Sequence, residues 1–364
     1  MDIQASIQAL VDKWFGPLVY TTGTTPSSSK APGGICGVYY GDQNYYFPYG
    51  SIDESGTPPD ENTIFGVGSV TKTFTTSILG QHPILFSGSY NDNWKVANNL
   101  PAGYALQGTE EDVTFAQLAT FTAGIPTVPP EGQQTDQQQF INFINSINPP
   151  SLPANNVYSD SSIGFLGQVL MHLDGYTVFD GIHANEWAGK RLFAALSMAN
   201  TGFPAKEDAS HPLSMAFKFL DEKNAYGKID YSPWTPWGTA GRMFSTCSDM
   251  LNFVQANCGV TEINGHGVPQ GITAGMLHAQ TDWVPKGPNT SPVDQGFAWI
   301  LINAGTTDEF CGKAGGVPGV SSFVTACRSM KLGVVFLTNM MGLKPEGAAI
   351  GLTKELQSLT KSTA

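Results

Sequence analysis

The chain has 364 residues, 41% of them hydrophobic and 11% aromatic, enough to bury a sizeable core in one large domain or two joined lobes. Its net charge of −12, from 18 Lys and Arg against 30 Asp and Glu with no basic cluster, argues against nucleic acid or an anionic membrane surface as a partner. No apolar run approaches the roughly 18–20 residues that span a bilayer, so no membrane span is expected.

The first element is an amphipathic helix, with Ile3, Ile7, Leu10, Val11 and Trp14 at helical spacing. No signal peptide precedes it. That start suits a cytoplasmic protein or a mature secreted one whose leader has been replaced by Met1. A composition rich in Asn, Gln and Thr and poor in Lys favours a secreted or periplasmic location. A Ser/Thr/Gly linker, Thr21 to Lys30, follows. Two β-rich runs then flank Gly41-Asp42-Gln43-Asn44, a hairpin signal.

The segment from Phe65 to Leu79 reads as a helix opening at Ser69, with Phe74, Ile78 and Leu79 inside it. Pro126 to Gln139 reads as a surface loop. Phe140, Ile141, Phe143, Ile144 and Ile147 mark one later helix, and Ile163, Leu166, Val169, Leu170 and Leu173 another. The end of the chain turns β-rich, with strands expected at Phe297–Asn303, Ser321–Ser329 and Lys331–Asn339, and a helix around Ala348–Leu359. Strands at both ends with helices between them suggest an α/β (α+β) fold, its one antiparallel sheet built from both termini around a helical insertion.

The five Cys show no zinc spacing and read as small buried hydrophobes, although a Cys247–Cys258 disulfide stays open. The six His show neither metal spacing nor a triad motif, and read as structural or surface groups. Gly-x-Ser-x-Gly and a phosphate-loop ending are both absent.

Ser-x-x-Lys occurs three times, at Ser27–Lys30, Ser69–Lys72 and Ser358–Lys361. Only the copy at Ser69 follows an apolar approach and opens a helix. There its backbone N–H is unpaired and Lys72 lies one turn on, on the same face. A Ser hydroxyl needs such a base before it can act as a nucleophile.

Two further segments change the weight of that motif: Tyr158-Ser159-Asp160 ahead of an apolar helix, and Lys313-Ala314-Gly315-Gly316 leading into a strand pair. With Ser69-Val70-Thr71-Lys72 these resemble, in order, the Ser-x-x-Lys, Tyr-x-Asn and Lys-Thr-Gly motifs of the serine β-lactamase and penicillin-binding-protein superfamily. The likeness is greatest to class C β-lactamases and runs through nearly the whole chain. It implies an α/β lobe, residues 1–78 with 236–364, beside a mostly helical lobe, residues 79–235, with the active site between them.

The resemblance implies roles as well. Ser69 would be the acylated nucleophile. Lys72 and Tyr158 would share proton transfer, with a Tyr158 phenolate stabilised by neighbouring Lys charges. Lys313 would keep the pocket electropositive, and the N–H groups of Ser69 and Gly316 would form the oxyanion hole. Asp160, Ala314, Gly315 and Val128 would line the substrate. No metal or organic cofactor is implied.

Three of those positions depart from the family pattern. Asp160 replaces an Asn, so a hydrogen-bond donor becomes an acceptor that carries charge. It could hold a substrate amine, pair with Lys72, or cap the helix starting at Ser161. Ala314 removes a hydroxyl that in relatives helps to bind the β-lactam carboxylate. Val128 stands where class C enzymes commonly have Gln. The expected function is a serine acyl-enzyme hydrolase or acyltransferase acting on a small-molecule ester or amide, without efficient β-lactam hydrolysis. The alternatives are a true class C-like β-lactamase, a transacylase passing the acyl group to an amine acceptor, and a ligand sensor without turnover.

Overall fold

The structure is a computed structural model that describes residues 2–20, 25–82, 95–131, 136–148, 151–204, 212–220, 225–231, 234–281, 283–287 and 293–363. Residues 21–24 of the expected linker, 132–135 of the expected loop, and His211 lie outside the described residues.

Among the described residues one sheet has seven strands: β1 (Gly33–Tyr40), β2 (Gln43–Gly50), β3 (Asp294–Gln295), β4 (Ile300–Ile302), β5 (Phe310–Val317), β6 (Val320–Cys327) and β7 (Leu332–Thr338). The order is β2-β1-β7-β6-β5-β4-β3, antiparallel throughout. The first strand therefore pairs with the last, Val38 facing Val334, and both chain ends meet in the sheet centre. The β1–β2 turn is tighter than its four-residue signal. Tyr40 already pairs with Gln43, and only Gly41 and Asp42 turn the chain, at φ 59° and 61°. Both values suit a type I′ hairpin.

Every residue of β1 is buried, because both sheet faces are covered. Cys36 and Val38 meet α1 (Ile3–Trp14) and the terminal helix through Ile7, Val11, Leu352 and Leu356. Ile35 and Tyr39 face the opposite way, into the larger core that includes Met250 and Leu251. Gly37 marks the closest approach on that side: a Cβ there would sit 2.6 Å from Cys247 Sγ. All five Cys are buried and free, so the Cys247–Cys258 pairing is not made.

Helix α2 (Thr71–Gln81) runs through the centre of the molecule and is buried from Thr71 to Gly80. Its hydroxyl-rich sequence makes a poor isolated helix, and tertiary hydrogen bonds compensate. Thr75 donates to the Thr239 carbonyl at 2.7 Å and Thr76 to the Phe297 carbonyl at 2.9 Å. Phe74 stacks on Phe253 with ring centroids 3.7 Å apart.

Three boundaries differ from expectation. Phe297–Asn303 contributes only Ile300–Ile302 to the sheet, because Ala298 turns to φ 58° and its N–H is taken by the Ala119 carbonyl. The surface loop gives way at Gln137 to helix α3 (Gln137–Asn145), which Asp136 caps by accepting from Gln139 N–H. Ile147 lies beyond its end. Helix α4 (Asp160–Leu173) carries Ile163, Leu166, Val169 and Leu170 into the core as its periodicity predicts. Helix α5 (Cys247–Asn257) backs β1 and β7, and α6 (Glu346–Thr363) extends past both ends of the expected Ala348–Leu359. The hairpin Ala216–Leu220/Ala225–Ile229 falls within the expected helical lobe, yet Phe217 N–H donates to the Asn339 carbonyl just beyond β7. No helix among the described residues is long and apolar enough to cross a membrane.

Candidate active site

The short strand Ile64–Gly66 delivers the chain to a 3₁₀ turn, Gly68–Val70, that runs straight into α2. Ser69 thus sits just ahead of the α-helix and not at its first residue. Gly68 adopts φ +52°, and a Cβ there would sit 2.6 Å from the Gly316 nitrogen. Both facts require glycine. A Cβ at Gly315 would lie 2.1 Å from the Val67 carbonyl oxygen and 3.2 Å from the Ser69 nitrogen. Strand β5 is therefore pressed against the Ser69 turn, which brings the backbone nitrogens of Ser69 and Gly316 into one small region. Ser322 on β6 locks the arrangement by donating to the Val67 carbonyl at 2.8 Å.

Ser69 Oγ receives two hydrogen bonds, from Lys72 Nζ at 3.0 Å and from Tyr158 Oη at 2.6 Å. Lys72 is 0% exposed, and its three donors are all used. They go to Ser69, to the Ala240 carbonyl at 2.7 Å, and to Asp160 Oδ1 in an ion pair. Lys313 reaches in from β5, 5% exposed, with Nζ 4.8 Å from the Tyr158 ring centre and 5.5 Å from that of Phe121. The structure thus brings Ser69, Lys72, Tyr158, Asp160, Lys313 and Gly316 together from three separate stretches of chain.

Tyr158 is fixed from behind. Its carbonyl accepts from Thr127 Oγ1 at 2.9 Å, while the Thr127 carbonyl accepts from the N–H groups of Asp160 and Ser161 at 2.8 and 3.0 Å. Val128 follows directly and is exposed. Ser159, not Asp160, caps α4: its hydroxyl accepts from Ser162 N–H at 2.9 Å, and the helix already begins at Asp160. Asp160 is spent on Lys72 instead. Ala314 alternates away from Lys313 along β5, and its methyl joins the cluster under α1 and α6. The Ala240 carbonyl and the Phe121 ring were not anticipated. A main-chain acceptor leaves no mark in a sequence, and Phe121 lacks any motif of its own.

The charges of the site are tuned by burial and by each other. Burial works against the Lys72 ammonium, but the Tyr158 oxygen and the Asp160 carboxylate together hold its pKa above the ordinary lysine value. Tyr158 has its ring edge open to solvent, 38% exposed, and its hydroxyl end sunk beside the two lysines. Burial raises its pKa above the ordinary tyrosine value and Lys72 pulls it back only partly, which favours the neutral phenol. Lys313 moves the other way. Burial first, then repulsion from Lys72, brings it down to about 7.

That value sets a stability prediction. Above pH 7 the folded Lys313 is neutral while the unfolded lysine still holds its proton up to 10.5. The unfolded state then binds more protons, so this residue makes stability rise with pH over that window and adds no slope below it. Urea unfolding at pH 7 and pH 9 should show wild type gaining roughly 1–3 kcal/mol relative to Lys313→Met. A gap that does not change with pH would mean Lys313 keeps an ordinary pKa.

Comparison with known proteins adds an independent line. Residues 4–357 match the family profile described as Beta-lactamase. The β-lactamase of Escherichia coli (strain K12) is 26% identical over 302 residues, covering 82% of this chain and 71% of that protein. The β-lactamase of Yersinia enterocolitica is 28% identical over 258 residues, covering 70% of this chain and 60% of its relative. Among solved structures, a β-lactamase from Sulfitobacter sp. EE-36 superposes with a TM-score of 0.79 at 18% identity, over 100% of both chains. A class C β-lactamase superposes at 0.78 and 19% identity, over 98% of this chain and 96% of its own. These two share the fold. The match along nearly the whole chain, together with the Ser69 cluster, makes this protein a member of the β-lactamase family of serine hydrolases.

Proposed function

We propose that the protein is a serine acyl-enzyme catalyst that cleaves a small-molecule ester or amide and handles β-lactams poorly. The site would lie between an α/β lobe, residues 1–78 with 236–364, and a mostly helical lobe, residues 79–235. The observation carrying this reading is Ser69 Oγ, hydrogen bonded at once by Lys72 and Tyr158 beside two converging backbone nitrogens. Attack of Oγ on a carbonyl would send the developing oxyanion toward the Ser69 and Gly316 N–H groups. One such donor is worth about 3–4 kcal/mol in the transition state.

The proton route follows from the charges. Lys72, held charged by Asp160, serves as a donor and an electrostatic support. Tyr158 would take the Ser69 proton as its own moves toward Lys313, whose Nζ lies 4.8 Å from the phenol ring centre and whose pKa of about 7 leaves it able to accept. The same chain run backwards protonates the leaving group. Breakdown of the acyl-enzyme by water gives hydrolysis, and an amine in its place gives acyl transfer. With Asp160 engaged by Lys72, the case for a substrate amine at that carboxylate is weakened.

A class C-like β-lactamase is the second reading, favoured by the family match. Against it, the Asp160 carboxylate offers no donor to the side-chain carbonyl of a β-lactam. Intact-mass measurement after mixing with penicillin, a p-nitrophenyl ester and a small amide separates these. A transient adduct and turnover with the ester or the amide, with slow penicillin turnover, supports the proposal. Asp160→Asn should then speed penicillin turnover by about tenfold, the worth of one restored hydrogen bond. Fast penicillin turnover by wild type would install the second reading, a permanent adduct would indicate a sensor, and no adduct with any probe would sink both catalytic readings.

A further inference from the structure

Arg242 continues the backbone that frames the nucleophile. The preceding Ala240 carbonyl holds Lys72. A Cβ at Gly241 would meet only the Gly68 carbonyl carbon, at 4.0 Å, beyond its own chain neighbours. The Met243 N–H donates to Thr71 Oγ1 at 3.3 Å. Arg242 itself is half-buried, its guanidinium 5.0 Å from the Trp237 ring centre. Trp237 packs against α4 one turn beyond Asp160, where a Cβ at Gly164 would sit 2.3 Å from Trp237 Cβ. These contacts place the Arg242 head group near the Asp160 end of α4, and the Asp160 carboxylate acts on its charge.

Its hydrogen bonding is incomplete. Among the described residues, Arg242 Nε is buried without a partner. A guanidinium stays charged at any working pH and cannot become neutral to escape burial. Leaving such a donor unpaired is costly. The nearby carboxylate that could answer it, Asp160, is engaged by Lys72. Lys72 and Asp160 cancel in charge, and Arg242 remains as a cation on that side of the site, in a chain whose net charge is −12. The Trp237 ring, 5.0 Å from the guanidinium carbon, supports the head group by a cation–π contact.

We propose that Arg242 is a specificity-determining residue that binds a carboxylate on the acyl portion of the substrate, making the preferred substrate a half-ester or half-amide of a dicarboxylic acid. This rests on the acyl-enzyme reading above. It places the anion on the Asp160 side of the nucleophile. On the Lys313 side the Glu346 carboxylate already acts on the lysine.

The test compares mono-p-nitrophenyl glutarate with p-nitrophenyl valerate, acyl chains of equal carbon number that differ by the carboxylate. Wild type should favour the glutarate ester in kcat/KM by about tenfold or more, a preference that shrinks in high salt. Arg242→Gln should cut that ratio by about tenfold or more, and Arg242→Lys should restore part of it. Glutarate should also inhibit wild-type valerate-ester hydrolysis competitively where the uncharged glutaramide does not, a measurement that needs no variant. Equal treatment of the two esters by wild type, or an equal loss on both in Arg242→Gln, overturns the proposal while a Ser69 adduct with the valerate ester leaves the acyl-enzyme reading standing. No adduct with either ester overturns both.

Discussion

Ser69→Ala is expected to abolish acyl-adduct formation, lowering ester turnover by roughly 10⁴-fold or more, whereas Ser27→Ala and Ser358→Ala should leave it within about twofold. All three serines carry a lysine three residues on, and their surroundings decide between them. Among the described residues, Ser27 Oγ bonds to Ser29 Oγ, at 3.0 Å on the surface. Ser358 Oγ donates back to the Lys354 carbonyl at 3.0 Å, and Lys361 is taken by Asp308 in an ion pair. Neither hydroxyl is addressed by its lysine. Ser69 is the copy with a buried ammonium and a phenol aimed at its oxygen. Intact-mass spectra of the three variants after ester treatment check this, with circular dichroism to confirm folding. An adduct persisting in Ser69→Ala would move the nucleophile elsewhere.

Tyr158→Phe is expected to slow acylation by about 10²–10⁴-fold, the usual range for losing a positioned proton-transfer group. The variant keeps the ring and its packing on Phe121, whose centroid lies 5.1 Å away, so the melting temperature should change little. Lys72 would still donate to Ser69, and with the Tyr158 oxygen gone the Asp160 carboxylate would still favour its charged form. Stopped-flow release of p-nitrophenol measures the step. The dependence of the rate on a group near pH 7 should vanish with the hydroxyl, because Lys313 then has no phenol to receive a proton from. A loss below about tenfold would return the base role to Lys72.

Parts of this were legible before any coordinates. The period of Ile163, Leu166, Val169 and Leu170 marked a helix because one face had to be buried, and the Gly41-Asp42 step marked a hairpin because those residues tolerate a left-handed backbone. Three short motifs pointed to Ser69, Lys72, Tyr158 and Lys313. Other features were hidden. Phe297–Asn303 looked like one strand, and only contacts with Ala279 and Ala119 explain why its first half turns away. Asp160 had three credible partners by chemistry, and nothing local could choose among them.

Residue order alone therefore named the candidate site residues and the outline of the sheet, since side-chain chemistry and hydrophobic period are local properties. Folding decided which charge meets which. The Lys72–Asp160 pair spans 88 positions and the Ala240 contact 168, and a main-chain carbonyl has no identity to read in advance. The protonation states of Lys72, Tyr158 and Lys313 follow from those meetings, because burial and neighbouring charge belong to three-dimensional space and not to the order of residues.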